Sequence, residues 1–433
     1  MKNRHVGPTL AMAALLAACS TEDLSNTSTS SNPSASAAPA GPVQAAQREP
    51  VLWAKPMDGL DAAQLERFEF GKALFEKVFE PSNGLGAVFN AQSCAECHGQ
   101  PATGGTDPSR TISRFTTLLA PQFAVGLLTQ ADGAPHVHAR SVADEFPAQV
   151  PGCNLAPERV PDNALASTVR ATPHLFGIGL IEAIPDSAII ANGQAAAQAY
   201  PEVSGRAGAM FPGGINDINT TDQAVGRFGA RGFVADVLAF TQGAFSTELG
   251  IATSHPVFSV PVRPSGNLAP VECTPFVGEA VTLREAQLVA DFQRWLAPPP
   301  RPVLKGKALR GEQVFKDTRC VACHTPMLKT AANLGAPMGD REVWLYSDLL
   351  LHDLGPELAD NAPEGLGTAT EWKTPPLWGV GQTNKPLLHD GRAGRDFDKA
   401  IRLHGGEANT SKALYEQLSK QDRQALIEFL KSL

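Results

Sequence analysis

The sequence predicts a mainly α-helical protein of two related units, the first enlarged by a large loop-rich insertion, and three observations predict it. Apolar residues recur at helical spacing over 65–79, 288–296 and 426–433, the period of helices that bury one stripe. The pattern C-x-x-C-H occurs twice, as Cys94-Ala-Glu-Cys-His98 and Cys320-Val-Ala-Cys-His324. Each copy follows a Gly-x-x-x-Phe segment, Gly71-Lys-Ala-Leu-Phe75 before the first and Gly311-Glu-Gln-Val-Phe315 before the second.

At the N-terminus, Met1-Lys2-Asn3-Arg4 leads into an apolar run over 10–18 and then Cys19. A basic start, a short apolar stretch and small residues before a cut site describe an export signal, too short to persist as a membrane span. Leu16-Ala-Ala-Cys19 also resembles the lipobox of bacterial lipoproteins, in which the cysteine is acylated and becomes the mature N-terminus. Ser20 in place of Asp goes with outer-membrane sorting. The alternative is an ordinary secreted protein that loses Cys19 with its signal. From Ser20 the chain is Ser, Thr, Asn, Pro and Ala with hardly a large apolar residue. Residues 20–58 are therefore expected to be a disordered tether, reaching roughly 30 Å. Export places the globule in the periplasm, with a lipid anchor as its contact with the membrane.

The first unit, 59–297, opens near Asp61 with a helix that should end before Pro81 and the Asn83-Gly84 turn. Gly71 and Gly311 should permit close helix approach, with Phe75 and Phe315 packing on the partner helices. Thr282-Leu-Arg-Glu285 is a capping box that opens the closing helix of the first unit. Ser419 with Asp422 starts the matching helix of the second unit, 303–433. Between the units, Pro298-Pro-Pro-Arg-Pro302 is a stiff linker. The insertion, about 110–275, is rich in Gly and Pro with apolar runs at 176–184 and 233–245. A cover over one C-x-x-C-H motif and not the other suggests that the two have different tasks.

Thiols spaced C-x-x-C can form thioethers to the two vinyl groups of one haem, and the adjacent histidine can then reach the iron. Zinc would need four ligands per site, and neither motif has a second Cys/His pair at the required spacing. The motifs therefore predict two covalently bound c-type haems, attached at Cys94 and Cys97 with His98, and at Cys320 and Cys323 with His324. An opening helix, a haem motif and a closing helix form the layout of a cytochrome c-like domain, twice over. Of the 7 cysteines, Cys153 and Cys273 are left over after Cys19 and the motifs. In an oxidising compartment they would form a disulfide, or remain as two buried thiols. A net charge of −8 argues against nucleic acid. An acidic surface could instead dock a small basic redox protein as electron donor or acceptor, or simply be solvated.

Together with the two motifs, Tyr346-Ser-Asp-Leu-Leu-Leu-His352, Lys373-Thr-Pro-Pro-Leu-Trp378 and Leu388-His389-Asp-Gly-Arg392 resemble the bacterial di-haem oxidoreductase family. Its members carry the label thiol oxidoreductase and are related to the di-haem cytochrome c peroxidases and to the enzyme that matures tryptophan tryptophylquinone. The resemblance covers roughly 60–433. It implies a peroxidase-like enzyme that passes electrons through the C-terminal haem to a reactive N-terminal haem. The alternatives are a haem enzyme that oxidises a residue of a partner protein, and a di-haem electron carrier with no substrate. A thiol substrate has no support from individual residues.

In the peroxidases a Met beyond an F-H-D-G segment binds the second haem on its distal side. Here His404 falls at that place, one residue later in the loop, so the resemblance implies His324 and His404 as axial ligands. His352 is the competing ligand. Imidazole in place of thioether lowers the reduction potential. At the first haem, the peroxidases use a Gln and a Glu near a helix end to move a proton between the two oxygens of peroxide. The comparable stretch, 226–250, places Glu248 there, and Glu182 is a second carboxylate among apolar residues.

Burial would raise the pKa of either carboxylate. For each the alternative is a structural carboxylate that caps a turn or pairs with Arg227 or Arg231. Phe240 stands where the relatives have Gln, and Phe228 or Ala230 stands near the place of their inter-haem Trp. An aromatic route would then run through Trp378, Trp372 or Trp344. His136, His138, His174 and His255 could each close the sixth position of the first haem. Relatives also hold Ca²⁺ through backbone carbonyls, and Thr383-Asn-Lys-Pro386 is the comparable segment.

Overall fold

The computed structural model describes residues 53–116, 136–210, 224–253 and 269–433. The export signal, Cys19, most of the tether and His255 lie outside the described residues. In chain order the helices are α1 (Ala62–Glu76), α2 (Cys94–Cys97), α3 (Val142–Glu145), α4 (Ile178–Glu182), α5 (Asp186–Ala199), α6 (Val237–Leu249), α7 (Leu283–Trp295), α8 (Gly306–Asp317), α9 (Phe397–Leu403), α10 (Asn409–Gln417) and α11 (Lys420–Ser432). Among the described residues the strands make only two-stranded ladders. The longest pairs Thr111–Thr116 antiparallel with Ala166–Ala171. The fold is mainly α.

Two helix pairs repeat one packing. A Cβ on Gly71 would lie 2.0 Å from the Leu288 carbonyl oxygen, and a Cβ on Gly311 would lie 2.0 Å from that of Ala425. Only glycine lets α1 approach α7, and α8 approach α11, this closely. The aromatic four residues on fills the space beside each contact. Ring centroids of Phe75 and Phe292 are 5.1 Å apart, and those of Phe315 and Phe429 are 5.4 Å apart. Thr282 caps α7 by accepting from the Glu285 N–H at 3.2 Å, while the Glu285 carboxylate accepts from the Thr282 N–H at 2.8 Å. Ser419 accepts from the Asp422 N–H at 3.0 Å to start α11. Helix α1 ends at Glu76, short of Pro81, because the Phe79 N–H leaves the helix to bond the Gln92 carbonyl at 2.8 Å. Val78 consequently faces solvent.

Three clusters form the core. One surrounds α1 and α7 with Phe68, Phe75, Phe89 and Phe292, and one surrounds α8 and α11 with Phe315, Tyr346, Tyr415 and Phe429. The third lies between and draws on both sides of the proline linker, with Ile184 and Val237 against Leu345, Leu350 and Trp378. Val51–Leu433 accordingly forms one compact unit.

Two expectations change. The tether cannot run to residue 58, because Trp53 packs on Phe176 with centroids 4.6 Å apart and the buried Met57 donates its N–H to the Trp295 carbonyl at 2.8 Å. Those two large apolar side chains were masked by the polar average of 20–58. The insertion is also less loop-rich than expected, since it contains α4, α5 and α6. Helix α5 escapes notice because Ala and Gln fill it without a strong apolar stripe. Helix α6 is stopped by Gly250 in the left-handed region (φ 63°), whose Cβ position lies 2.3 Å from the Val88 carbonyl oxygen. That stop fixes Glu248 near the first motif. Cys153 and Cys273 are joined as a disulfide with Cα atoms 4.9 Å apart.

Candidate functional site

The two C-x-x-C-H motifs adopt a similar local form from different sequences. Ser93 accepts from the Glu96 N–H at 3.2 Å and caps the single turn α2, and the His98 N–H bonds the Cys94 carbonyl at 2.9 Å. At the second motif Arg319 takes the left-handed conformation (φ 61°) just before a 3₁₀ turn, and the His324 N–H bonds the Cys320 carbonyl at 2.9 Å. The ring of Phe75 lies 6.2 Å from that of His98, and Phe315 lies 6.3 Å from His324. Both motifs line one continuous cavity of ≈ 590 Å³.

Three histidines on that cavity share one arrangement. Nδ1 of His98 lies 3.3 Å from the Gly105 carbonyl oxygen, Nδ1 of His324 lies 3.0 Å from that of Tyr346, and Nδ1 of His404 lies 2.8 Å from that of Ala400. A ring nitrogen beside a carbonyl carries the proton, which leaves Nε2 with its lone pair free to ligate. Burial lowers the pKa of all three, that of His324 to about 4. They are therefore neutral, the ligating form. The four motif cysteines are unpaired. Burial pushes Cys94 and Cys97 up to about 12 and Cys320 to about 11.

Free thiols paired with a neutral, oriented imidazole at each end of one cavity, and a further neutral imidazole at the second end, form the donor set that two haems would use. Residues 129–433 match the family described as "Di-haem oxidoreductase, putative peroxidase". The chain belongs to this di-haem oxidoreductase family. No curated protein matches it. Among solved structures it is similar to hydrazine synthase of Kuenenia stuttgartiensis, at 14% identity over 92% of this chain and 100% of that one, with a TM-score of 0.38.

In this di-haem oxidoreductase His352 is not free to ligate. Its Nε2 lies 2.8 Å from Asp348 and its Nδ1 lies 2.8 Å from Glu407. Burial opposes its charge, but these two carboxylates hold it as an imidazolium with its pKa raised to about 12. The sequence carries no sign of this clamp, since Glu407 lies 55 residues away.

Glu182 is removed from the chemistry as well. Its carboxylate accepts two hydrogen bonds from Arg294, at 2.6 and 3.0 Å, and a third from the Val237 N–H at 2.8 Å. It anchors the start of α6 to α7, and Arg294 is its partner in place of Arg227 or Arg231. Arg227 instead pairs with Asp186, and Arg231 with Asp360.

Glu248 does face the cavity. Its Oε2 accepts from Asn90 Nδ2 at 3.1 Å, and its Oε1 lies 2.7 Å from His136 Nδ1. On the far side of that ring, Arg114 reaches His136 Nε2 at 2.6 Å, and Arg114 also pairs with Glu364. Burial raises the Glu248 pKa, as expected from the sequence, but His136 and Asn90 outweigh it and the net shift is downward. Glu248 is thus held as an ionised carboxylate on the cavity wall.

Glu248 and Arg114 thus approach the two ring nitrogens of His136 from opposite sides. His138 and His174 each keep one buried ring nitrogen without a partner. His138 is bound through Nδ1 to Glu158 at 2.8 Å, and His174 through Nε2 to the Trp378 carbonyl at 3.1 Å. His389 stacks on Trp372 at 3.7 Å, and Arg170 and Arg231 lie over the same indole at 4.6 and 4.0 Å. Trp378 is buried on the cavity wall. A Cβ on Gly177 would lie 2.9 Å from its ring, and the next residue, Gly379, bonds the C-terminal Leu433 carbonyl at 2.6 Å. Trp344 sits outside the wall under Arg301.

The segment from Thr383 to Pro386 does not suit Ca²⁺. The Lys385 carbonyl already accepts from Arg395 at 2.9 Å, and the Lys385 ammonium in the same segment would repel a cation.

Proposed function

We propose that this di-haem oxidoreductase is an exported c-type enzyme of the peroxidase kind, built as two cytochrome c-like halves with separate tasks. The observation that supports the division is the unlike company of the two motif histidines. His324 shares its end of the cavity with a second neutral imidazole, His404. His98 shares its end with an ionised carboxylate, Glu248, held between Asn90 and His136.

Haem attached at each pair of cysteines supplies iron that exchanges single electrons and, where an axial position is open, meets peroxide. His98 and His324, oriented by their carbonyl partners, would each hold one haem iron through Nε2. His404 would be a further ligand to the haem at the second motif, which would suit that haem to electron exchange with a small redox protein. At the first motif Glu248 accepts a proton from one peroxide oxygen and returns it to the other. Arg114 and His136 hold its carboxylate in place. Trp378 provides an aromatic path along the wall between the two ends. The signal and Cys19 would deliver the globule to the periplasm on a lipid anchor, with the tether giving it reach.

The test is Glu248→Gln in the haem-loaded protein. Peroxide turnover should fall by about 10²–10⁴-fold, the usual contribution of a positioned acid–base group, while both haem spectra persist. Unchanged turnover removes Glu248 from the mechanism. Cyanide that binds neither haem makes the protein a carrier and ends the enzyme reading.

A further inference from the structure

The cavity between the motifs is lined by several cations, and its four arginines are already neutralised. Arg114 pairs with Glu364, Arg170 with Asp360, Arg227 with Asp186 and Arg319 with Glu202. Lys373 and Lys385 line the same cavity and differ from these: neither ammonium has an ion pair or a hydrogen bond to any described residue. Lys373 follows Trp372 in the strand Glu371–Lys373, with its N–H on the Ala230 carbonyl at 3.0 Å and its stem against Gly232. Lys385 lies in the loop after the Trp378 turn, on the side of His174.

An ammonium turned away from bulk water without a counter-charge is costly. Burial lowers Lys373 and Lys385 to about 8 each, and in Lys373 the nearby Lys385 charge adds to the shift. Two such groups facing one cavity form a site that suits an anion. Each c-type haem brings two propionate carboxylates, which must themselves be neutralised once enclosed. Building on the reading that two haems fill this cavity, we infer that Lys373 and Lys385 are the counter-cations of haem propionates and set the charge between the two haems. The same pairing accounts for the poor fit of Ca²⁺ at 383–386, because Lys385 supplies the positive charge there.

The experiment uses the haem-loaded full chain and its Lys373→Met, Lys385→Met and Lys373→Arg variants. Haem is counted by the pyridine haemochrome, midpoint potentials are taken by spectroelectrochemistry, and propionate bending modes are read by resonance Raman. The expected result is two haems per chain throughout, a downward shift of at least one midpoint potential in each Met variant, altered propionate modes, and recovery of the potential in the Arg variant. A cation beside the haem favours the reduced state, so its loss lowers the potential. Two haems with unchanged potentials and unchanged propionate modes overturn the inference and leave the di-haem reading intact. Titration with inorganic phosphate separates the remaining source of an anion: potentials that respond to phosphate in the unsubstituted protein but not in the Met variants assign the lysines to an external anion and overturn it too. Absence of covalent haem from the unsubstituted protein defeats the underlying reading instead.

Discussion

Asp348 and His352 are joined Oδ2 to Nε2 at 2.8 Å, and Glu407 closes on the other ring nitrogen at the same distance. This clamp engages both ring nitrogens of His352, one of the two histidines that the sequence offers for the second haem. His404→Ala should convert one low-spin ferric signal to high spin in low-temperature EPR. His352→Gln should leave the low-spin signals in place. Loss of the low-spin signal in His352→Gln with His404→Ala unaffected would reverse the assignment.

The same clamp gives a pH dependence. Burial works against the Glu407 charge, but His352 and Ser204 lower its pKa to about 2 from an ordinary 4.5. A depressed carboxylate stabilises the fold fully above its unfolded value, and that contribution fades as pH falls from about 4.5 toward about 2. His352 is raised from 6.5 to about 12, so its contribution is complete below 6.5 and is lost as pH rises toward 12. Both act together between about 4.5 and 6.5. Thermal melts across pH should show a shallower acid limb in Glu407→Gln than in the unsubstituted protein.

Helix approach at Gly311 is equally exposed to test. Gly311→Ala places a methyl group into the Ala425 carbonyl, and Gly71→Ala does the same at Leu288. Each should cost about 1–3 kcal/mol by overpacking, despite the better helix propensity of alanine. Denaturant melts that show either variant equal to or above the parent would refute the close approach.

Trp378 lies on the cavity wall with its ring against Gly177 of the first half, while its neighbour Gly379 bonds the Leu433 carbonyl. Trp378→Phe should slow electron exchange between the haems in stopped-flow reduction. Trp344→Phe should not, because that ring lies outside the wall. Trp372 is a poorer conduit, since two guanidinium groups over its face disfavour any positive charge on it.

Much of this arrangement was legible beforehand. Gly-x-x-x-Phe ahead of each motif, the Thr282 and Ser419 caps and the apolar stripes located α1, α7, α8 and α11, because helix packing writes itself into local spacing. Helix α5 stayed hidden for the opposite reason, an Ala-rich face with little pattern to read. Glu182 and Glu248 looked alike as carboxylates among apolar residues. Only the fold sent Arg294 to the first and opened the second to the cavity. Lys373 and Lys385 carried no signal at all, since an unpaired ammonium is defined by what is absent around it.

The sequence by itself determined the donor set that two haems would use: two thiol pairs with adjacent histidines, repeated on a common helical frame, because C-x-x-C-H spacing and helix periodicity are set within a few residues. Tertiary structure alone decided which side chains are free to act. His404 keeps a lone pair while His352 is clamped as a cation, and Glu248 is ionised beside His136 while Glu182 is spent on Arg294. Partners that fix protonation come from residues tens or hundreds of positions away, and electrostatics inside a cavity depends on those distances in space and not along the chain.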